Sequence, residues 1–198
     1  MEIRKAKRVD IESIVKIHCD AFKGFFLTSL GTDFLKFYYM CFVDNSETII
    51  MCAIEDGKIL GFSAATKVCK GFNSRLIKSN LMDFGMLSIR LLFTSPKSMI
   101  RLLMNLTKKG KAIEDDEDYA ELYSIAVCQD TQGKGVGKQL LTALEKIMKK
   151  EGVKRVSLTT DYYNNEAAVS FYISMGYKSL YEFVTYPNRK MYRLIKLL

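Results

Sequence analysis

The hydrophobic positions in residues 1–67 follow strand and helix spacings in turn. Residues 2–6 alternate as in a strand, and Asp10 stands as a helix N-cap before apolar side chains at helical spacing. A second helical pattern covers residues 33–42. Residues 47–67 form two β-rich runs joined at Asp56-Gly57, a dipeptide that favours a tight hairpin turn because it accepts positive φ angles. The pattern therefore predicts a strand, two helices and a hairpin.

The next part of the chain has an apolar helical pattern over residues 73–109. Its break near Ser95-Pro96 predicts two helices. The elements predicted after it are, in chain order, a strand over 119–127, a helix over 136–150, a strand over 155–160, a helix over 166–175 and two strands around Pro187-Asn188. This order of elements predicts an α/β fold with a mixed sheet.

Length and composition fit one globular domain spanning residues 1–198. Hydrophobic residues make up 48% of the chain and charged residues 26%, with 2 prolines, which excludes a disordered or collagenous protein. The apolar stretch 81–93 contains Asp83 and Arg90 and is shorter than the ~20 residues of a membrane span. Residues 1–10 lack the apolar core of a secretory signal. We therefore expect no membrane span.

Cysteine and histidine usage argues against disulfides and metal sites. The five cysteines are scattered without a CxxC pair, which favours a reducing compartment and predicts a cytoplasmic location. The single histidine, His18, supplies too few ligands for a His-rich metal site, so no metal is predicted. His18 shares a helical stripe with Ile14, Val15 and Phe22, and we interpret it as a packed residue rather than a catalyst.

The net charge of +8 comes from one segment. Residues 67–111 carry ten basic residues and one acidic residue, whereas the rest of the chain carries twenty basic and twenty-one acidic residues. The first interpretation is a solvated helical face. A positive field that attracts an anionic acceptor or cofactor, and attachment to a membrane surface, are the alternatives. Nucleic-acid binding is not expected, because the segment offers only Phe72, Phe84 and Phe93 as stacking aromatics, in a leucine-rich helical setting.

A glycine-rich turn, Gln132 to Gly137, lies directly between the predicted strand at 119–127 and the helix at 136–150. Glycines let an anion approach closely, and the unpaired N–H groups at a helix start point outward at the positive end of its dipole. Such a turn suits a phosphate or pyrophosphate. A generic tight turn is the alternative. A Walker loop and a dinucleotide fingerprint do not fit, because no GK[ST] follows and the glycine spacing differs from GxGxxG.

Two motifs in this part of the chain resemble those of the GCN5-related N-acetyltransferase (GNAT) superfamily. The family's acetyl-CoA loop, Q/R-x-x-G-x-G/A, is matched by Gln132, Gly135 and Gly137. Downstream, the pattern N-x-x-A-x-x-[LF]-Y-x-x-x-G-[FY] is matched by Asn165, Ala168, Phe171, Tyr172, Gly176 and Tyr177. Residues 2–22 also resemble the N-terminal strand and helix of the family. The resemblance covers the chain except for about residues 68–118.

The resemblance implies a single GNAT-like domain whose mixed, mostly antiparallel central sheet is flanked by helices. The family joins its third and fourth strands by a short turn, so about residues 68–112 become a helical insertion between these strands. Acetyl-CoA is the implied co-substrate, with no metal. The implied binding residues are Ile125, Ala126 and Val127 on a bulged strand, Gln132, Gly133, Lys134, Gly135, Val136, Gly137 and Lys138 of the turn, and Asn165 and Tyr172.

The resemblance also implies catalytic roles. Tyr172 matches the family's general acid, and a phenol with a pKa of ~10 is protonated at neutral pH and can donate to a thiolate. Glu121 lies on the strand before the loop, where many members place a carboxylate that acts as a base through water, and Tyr123 shares its side of the strand. A solvated strand glutamate is the alternative, and members also work without a dedicated base. Asp161 is interpreted as a loop or capping residue.

The implied function is transfer of an acetyl group from acetyl-CoA to a primary amine by direct attack within a ternary complex. We expect a small-molecule amine as the acceptor, with a protein amine as the alternative. An acetyl-CoA-binding sensor without turnover would be expected to lack Tyr172. Phe25 and Phe26 lie in the loop that borders the acceptor site in the family, although at least one of them is expected in the core. The insertion is expected on the acceptor side, and a homodimer is left open.

Overall fold

The computed structural model of the chain describes residues 1–94, 115–185 and 188–198, so Pro187 of the predicted final turn lies outside the described part. The strands are β1 (Glu2–Lys5), β2 (Thr48–Glu55), β3 (Lys58–Thr66), β4 (Ala120–Val127), β5 (Arg155–Asp161), β6 (Lys178–Thr185) and β7 (Arg189–Leu197). The helices are α1 (Ile11–Ala21), α2 (Phe26–Ser29), α3 (Thr32–Asp44), α4 (Phe72–Ser79), α5 (Leu81–Thr94), α6 (Val136–Lys150) and α7 (Glu166–Ser174). Short 3₁₀ turns cover Arg8–Asp10 and Gln129–Thr131.

The described strands form one sheet in the order β1-β2-β3-β4-β5-β7-β6. Neighbouring strands run antiparallel except β4 and β5, which run parallel. The predicted α/β fold with a mixed, mostly antiparallel sheet is confirmed. Asp56 and Gly57 join β2 to β3 with φ angles of 49° and 74°, the left-handed pair that a tight hairpin turn needs.

Helices cover the sheet on both faces. One hydrophobic cluster packs α1, α3 and α4 against the β2 residues Ile50 and Cys52, and the other packs α6 and α7 against Ile49 and Met51. Because β2 is buried on both faces, its apolar residues run continuously instead of alternating with polar ones. Both layers of helices contact β4. This strand is therefore held from both sides at the centre of the molecule.

The first helix begins after the predicted N-cap residue. Asp10 occupies that position, but its side chain makes no capping hydrogen bond to α1. Its carboxylate instead accepts the Lys7 N–H at 2.7 Å and pairs with both terminal nitrogens of Arg4 at 2.7 and 3.0 Å. The reason is that Arg4, on β1, offers the carboxylate a charged bidentate partner. Asp10 therefore closes the 3₁₀ turn and ties it to β1.

The connection between β3 and β4 contains α4 and α5 in its described part, as the predicted helical insertion requires. A helix break lies at Asn80, whereas the predicted break near Ser95-Pro96 lies outside the described part. The Asn80 side-chain amide donates to the Leu76 carbonyl at 2.9 Å and ends α4, and α5 begins at the next residue. Residues 95–109 of the predicted second helix lie outside the described part. In the part that is described, no helix has both the length and the apolar character that a bilayer crossing requires.

Candidate active site

The parallel ladder between β4 and β5 ends early and leaves a cavity between the strands. Its last pair is Leu122 with Leu158, although both strands continue for several residues. These remaining residues line a cavity of about 340 Å³, which we call the β4–β5 cavity. Its other walls come from α1, from the segment after it, from α7 and from β7. The lining residues are His18, Phe22, Phe25, Phe26, Leu27, Leu122, Tyr123, Ser124, Ile125, Leu158, Thr159, Thr160, Asp161, Asn165, Ala168, Tyr172, Arg189 and Met191.

A β-bulge marks the point where β4 leaves β5. Ser124 lies opposite Ala64 and Leu122 lies opposite Ala65, so Tyr123 is the extra residue. The bulge was expected near residues 125–127 and lies two residues earlier. Its position coincides with the end of the β4–β5 ladder, because the extra residue bends β4 away from its neighbour.

The backbone of β4 beyond the bulge presents N–H groups to the cavity side. The Cys128 N–H donates to the Leu60 carbonyl at 2.7 Å, so it faces β3. Because N–H directions alternate along a strand, Ala126 also faces β3, whereas Ile125 and Val127 face the gap left by β5. Two of the three strand residues predicted to bind acetyl-CoA therefore direct a donor into this gap. The Ala126 N–H instead faces β3, where Ala126 pairs with Phe62 within the sheet.

The predicted phosphate turn has the geometry of an open helix start. Gly133 and Gly135 have φ angles of 76° and 79°, and Gly135 is the left-handed N-cap of α6, which no side chain of the described residues caps. The first α-helical bond runs from the Gln139 N–H to the Gly135 carbonyl at 3.1 Å. The N–H groups of residues 136–138 precede it and have no partner four residues back. Gln132, Lys134 and Lys138 are exposed beside this turn, which suits an anionic group.

Tyr172 belongs to the second motif and lines the β4–β5 cavity. Its side chain is 9% exposed and lies between Phe171 and Tyr177, with ring centroids 5.2 and 5.8 Å away. Burial raises the pKa of Tyr172 to about 12, so the hydroxyl keeps its proton at neutral pH. A protonated phenol in the wall of this cavity can act as a proton donor.

Asn165, the first residue of that motif, works mainly within the fold. Its side-chain amide donates to the Thr160 hydroxyl at 2.6 Å and to the Asp161 carbonyl at 3.0 Å. These bonds tie the start of α7 to the end of β5. Asn165 therefore shapes the cavity that it lines.

Glu121 lies on the face of the sheet opposite to Tyr172, in a second cavity of about 390 Å³ that we call the Glu121 cavity. It forms an ion pair with Arg193, and the side chains of both residues are 13% exposed. The Cys69 thiol donates to the second carboxylate oxygen at 3.1 Å. The interpretation of Glu121 as a solvated strand residue is therefore wrong. Tyr123 lines the same cavity, as its predicted position on the Glu121 side of β4 requires.

The two cavities meet at shared wall residues. Tyr123, Thr159 and Met191 line both of them, so the β4 bulge stands between the cavity that contains Tyr172 and the one that contains Glu121. The walls of the Glu121 cavity also include residues of the insertion, among them Gly71 and Asn73 at the start of α4. The arrangement offers a proton donor on one side of β4 and a paired carboxylate on the other.

The comparison with protein families agrees with this geometry. Residues 11–177 match the family described as the acetyltransferase (GNAT) family. The chain belongs to this family. The predicted resemblance is therefore confirmed, and so is acetyl-CoA as co-substrate, because GNAT enzymes use it. In residues 1–94, 115–185 and 188–198, no group of three or more His, Cys, Asp or Glu side chains is placed to hold a metal ion.

Solved GNAT structures share the fold of this chain. The ribosomal-protein-S18-alanine N-acetyltransferase from Escherichia coli is 16% identical, with a TM-score of 0.64 over 99% of this chain and 92% of that chain. The ribosomal-protein-alanine N-acetyltransferase from Brucella melitensis is 14% identical, with a TM-score of 0.65 over 100% of both chains. The PaiA N-acetyltransferase from Thermoplasma acidophilum, in complex with coenzyme A, is 18% identical, with a TM-score of 0.61 over 100% of this chain and 98% of that chain.

The basic segment of this GNAT protein uses part of its charge in ion pairs with the rest of the domain. Lys67 pairs with Glu151 at 2.7 Å and Arg75 with Glu47 at 2.9 Å. Of the basic residues of this segment whose side chains the structure describes, none lines the β4–β5 cavity or the Glu121 cavity. The segment's other basic residues, which lie outside that description, are Arg90, Lys97, Arg101, Lys108, Lys109 and Lys111.

Two arginines of β7 contribute to the GNAT site and were missed by the sequence analysis. Arg193 holds Glu121, and Arg189 forms a bidentate ion pair with Asp161. The Arg189 guanidinium also lies over the Phe25 ring, 4.7 Å from its centroid. Phe25 is 39% exposed and lines the β4–β5 cavity together with Phe26. Basic residues on an alternating strand give no signal of their partners, because the register of β7 on β5 is set by contacts distant in sequence.

Proposed function

We propose that the protein transfers an acetyl group from acetyl-CoA to the primary amine of a small molecule. The observation that carries this proposal is one cavity with Ile125 and Tyr172 on its walls. Ile125 supplies a backbone donor directed into the gap, and Tyr172 supplies a buried, protonated phenol. Bound in this cavity, acetyl-CoA supplies the thioester whose carbonyl carbon the amine attacks.

The chain's residues would divide the work between binding and proton transfer. The N–H groups of residues 136–138, with Lys134 and Lys138 beside them, would hold the pyrophosphate. The N–H groups of Ile125 and Val127 would hold the pantetheine arm and the thioester carbonyl. As the C–S bond breaks, Tyr172 would give its proton to the sulfur, and the amine nitrogen would lose one. The proton that leaves the amine nitrogen needs an acceptor.

Glu121 is the candidate for that acceptor, and we assign it to the amine side of the reaction. It lies across the β4 bulge from Tyr172 and shares its cavity with Tyr123. Arg193 competes for one of its oxygens and Cys69 donates to the other, so a proton would reach Glu121 through water. Transfer of this proton directly to solvent is the simpler route. Glu121→Leu combined with Arg193→Met removes the carboxylate together with its partner, and its activity distinguishes the two.

A small-molecule acceptor is supported by the size of the β4–β5 cavity, about 340 Å³, and by the aromatic side chains of Phe22, Phe25 and Phe26 on its wall. A protein amine is the alternative, and the amine panel below therefore contains peptides. The five cysteines are free thiols, and the cytoplasm stays our prediction for the location.

The deciding experiment is turnover of acetyl-CoA with a panel of amines, read by thiol release. The panel contains amino sugars, polyamines, amino acids and N-terminal peptides. Release that depends on one small amine, and falls in the Tyr172→Phe variant, is the expected result. Tight binding of acetyl-CoA without amine-dependent release would instead indicate a sensor, and release only with peptides would indicate a protein acceptor.

A further inference from the structure

His18 lines the β4–β5 cavity and carries a buried ring nitrogen without a partner among the described residues. The residue is 2% exposed, and its ring packs on Phe22 with centroids 4.7 Å apart. Its Nδ1 lies 2.7 Å from the Tyr39 hydroxyl. Its Nε2 is buried and has no hydrogen-bond partner among the described residues. A buried polar atom without a partner is unfavourable, so a bound group that supplies one is favoured at this position.

The hydrogen bonds around Tyr39 bear on which ring nitrogen carries the proton. The Ser124 side chain hydrogen-bonds to the Tyr39 hydroxyl, which partly offsets the rise in the Tyr39 pKa caused by burial. We assign the Ser124 hydroxyl as the donor of this bond, which leaves the Tyr39 proton for His18 Nδ1. A neutral imidazole whose Nδ1 accepts carries its proton on Nε2. His18 Nε2, which has no partner among the described residues, is therefore a hydrogen-bond donor.

We propose that His18 Nε2 donates a hydrogen bond to an uncharged oxygen, an amide or thioester carbonyl, of the ligand in the β4–β5 cavity. The inference rests on the proposed function, which places the acetyl-pantetheine arm of acetyl-CoA in this cavity. Pantetheine contains two amide carbonyls, and the thioester adds a third. An amide or ester of the acceptor offers the same chemistry from a second source.

The surroundings of His18 favour an uncharged partner over an anion. Burial lowers the His18 pKa to about 4, so the ring is neutral at pH 7. Phe22, Phe25 and Phe26 line the same cavity, and Phe22 packs directly on the imidazole. Arg189 also lines this cavity, but its charge is paired with Asp161. An anion would therefore lose its hydration against these rings without gaining an unpaired opposite charge, whereas a carbonyl oxygen loses less. Ser124, which follows the bulge residue Tyr123, connects this polar chain to β4.

Two substitutions separate ligand binding from folding. His18→Asn keeps a polar group near Nδ1 for Tyr39 and removes Nε2. His18→Gln places an amide near Nε2 and gives up the bond to Tyr39. We expect the dissociation constant of acetyl-CoA, measured by calorimetry, to rise about fivefold to tenfold in His18→Asn and to stay within about twofold in His18→Gln. The melting temperature is expected to be higher in His18→Asn than in His18→Gln, because the Asn variant keeps the hydrogen bond to Tyr39.

The unmodified protein provides a second measurement that does not depend on a variant. His18 is the single histidine of the chain, so ¹⁵N-histidine labelling gives one imidazole to observe. We expect the Nε2–H tautomer in the free protein and a shift of the Nε2 resonance on addition of acetyl-CoA. Adenosine 3′,5′-bisphosphate, which lacks the pantetheine arm, is expected to leave that resonance in place.

The outcomes separate this inference from the proposed function. A wild-type protein that binds neither acetyl-CoA nor adenosine 3′,5′-bisphosphate contradicts the proposed function. If acetyl-CoA binds but only the amine found in the turnover panel moves the Nε2 resonance, the carbonyl belongs to the acceptor and the inference holds. An Nδ1–H tautomer, or equal acetyl-CoA and acceptor affinities in both variants and no shift with either ligand, overturns it.

Discussion

Replacing Gly135 or Gly137 by alanine should affect this protein in opposite ways, although the residues are two positions apart in one motif. Gly135 has a φ angle of 79°, and a left-handed backbone costs an alanine about 1–2 kcal/mol. Gly137 has ordinary helical geometry. A Cβ there would meet Phe171 and Val127 at 3.7 Å, which is normal van der Waals contact. Alanine in a helix is favoured over glycine by roughly 0.5–1 kcal/mol.

These energies translate into measurable shifts of the melting temperature. For a domain of this size, 1 kcal/mol changes Tm by roughly 2–4 °C. Calorimetry should therefore show Gly135→Ala melting roughly 2–8 °C below the wild type and Gly137→Ala melting roughly 1–4 °C above it. Because the motif itself accepts alanine at the last position, Gly137→Ala serves as the matched control.

The binding of acetyl-CoA should depend on Gly135 alone. A relaxed backbone at this residue would turn the N–H groups of residues 136–138 away from the pyrophosphate. A hydrogen bond to a charged group contributes about 1.5–3 kcal/mol, so losing one weakens the affinity for acetyl-CoA at least about tenfold. Titration calorimetry with both variants checks this. Wild-type affinity in Gly135→Ala, or equal losses in the two variants, would refute the role of the turn geometry.

Three further predictions concern side chains. Tyr172→Phe should lower turnover by about 10²–10⁴-fold with acetyl-CoA affinity nearly intact, and wild-type thiol release would exclude Tyr172 as the acid. Glu121→Gln should destabilise the fold by about 3–5 kcal/mol, because it leaves the Arg193 guanidinium unpaired. Glu121→Leu with Arg193→Met should restore the melting temperature, and its activity then reports whether a base is needed. Arg4 holds the pKa of Asp10 below its usual range, so Asp10 stabilises the fold above about pH 4 and loses this effect as the pH falls through its native pKa. Acid titrations of wild type and Asp10→Asn should therefore converge at low pH.

Features that depend on neighbouring residues were predictable from the sequence. The Asp56-Gly57 hairpin and the glycine turn before α6 follow from local conformational preference, and both have the expected positive φ angles. The break at Asn80 had no such signal, because it depends on a side-chain bond from Asn80 to the Leu76 carbonyl and not on a proline or glycine. The N-cap position of Asp10 was predictable, but the loss of its capping bond was not, since Arg4 on β1 binds its carboxylate.

The parts of the site that were not predictable depend on strand register. The ion pair between Glu121 and Arg193 joins residues 72 positions apart. It requires β7 to lie beside β5 with Arg193 opposite Thr159, a pairing that no local pattern indicates. The bulge at Tyr123 is likewise a property of the β3–β4 pair. Without it, the end of the β4–β5 ladder and the cavity beyond it could not be located.

The basic segment, residues 67–111, carries less net charge in space than its sequence count indicates, because acidic residues from elsewhere in the chain pair with it. Two of its described basic residues are neutralised by Glu47 and Glu151, which the count assigns to the rest of the domain. The insertion residues that line the Glu121 cavity, such as Gly71 and Asn73, are uncharged. The charged groups described in that cavity are Glu117, Glu121 and Arg193, of which two are acidic. Because opposite charges attract at short range in a partly desolvated site, this cavity suits an ammonium better than an anion. For the four basic residues whose side chains are described, this arrangement favours an ion-paired or solvated face over recruitment of an anionic acceptor, and the roles of the other six stay predictions.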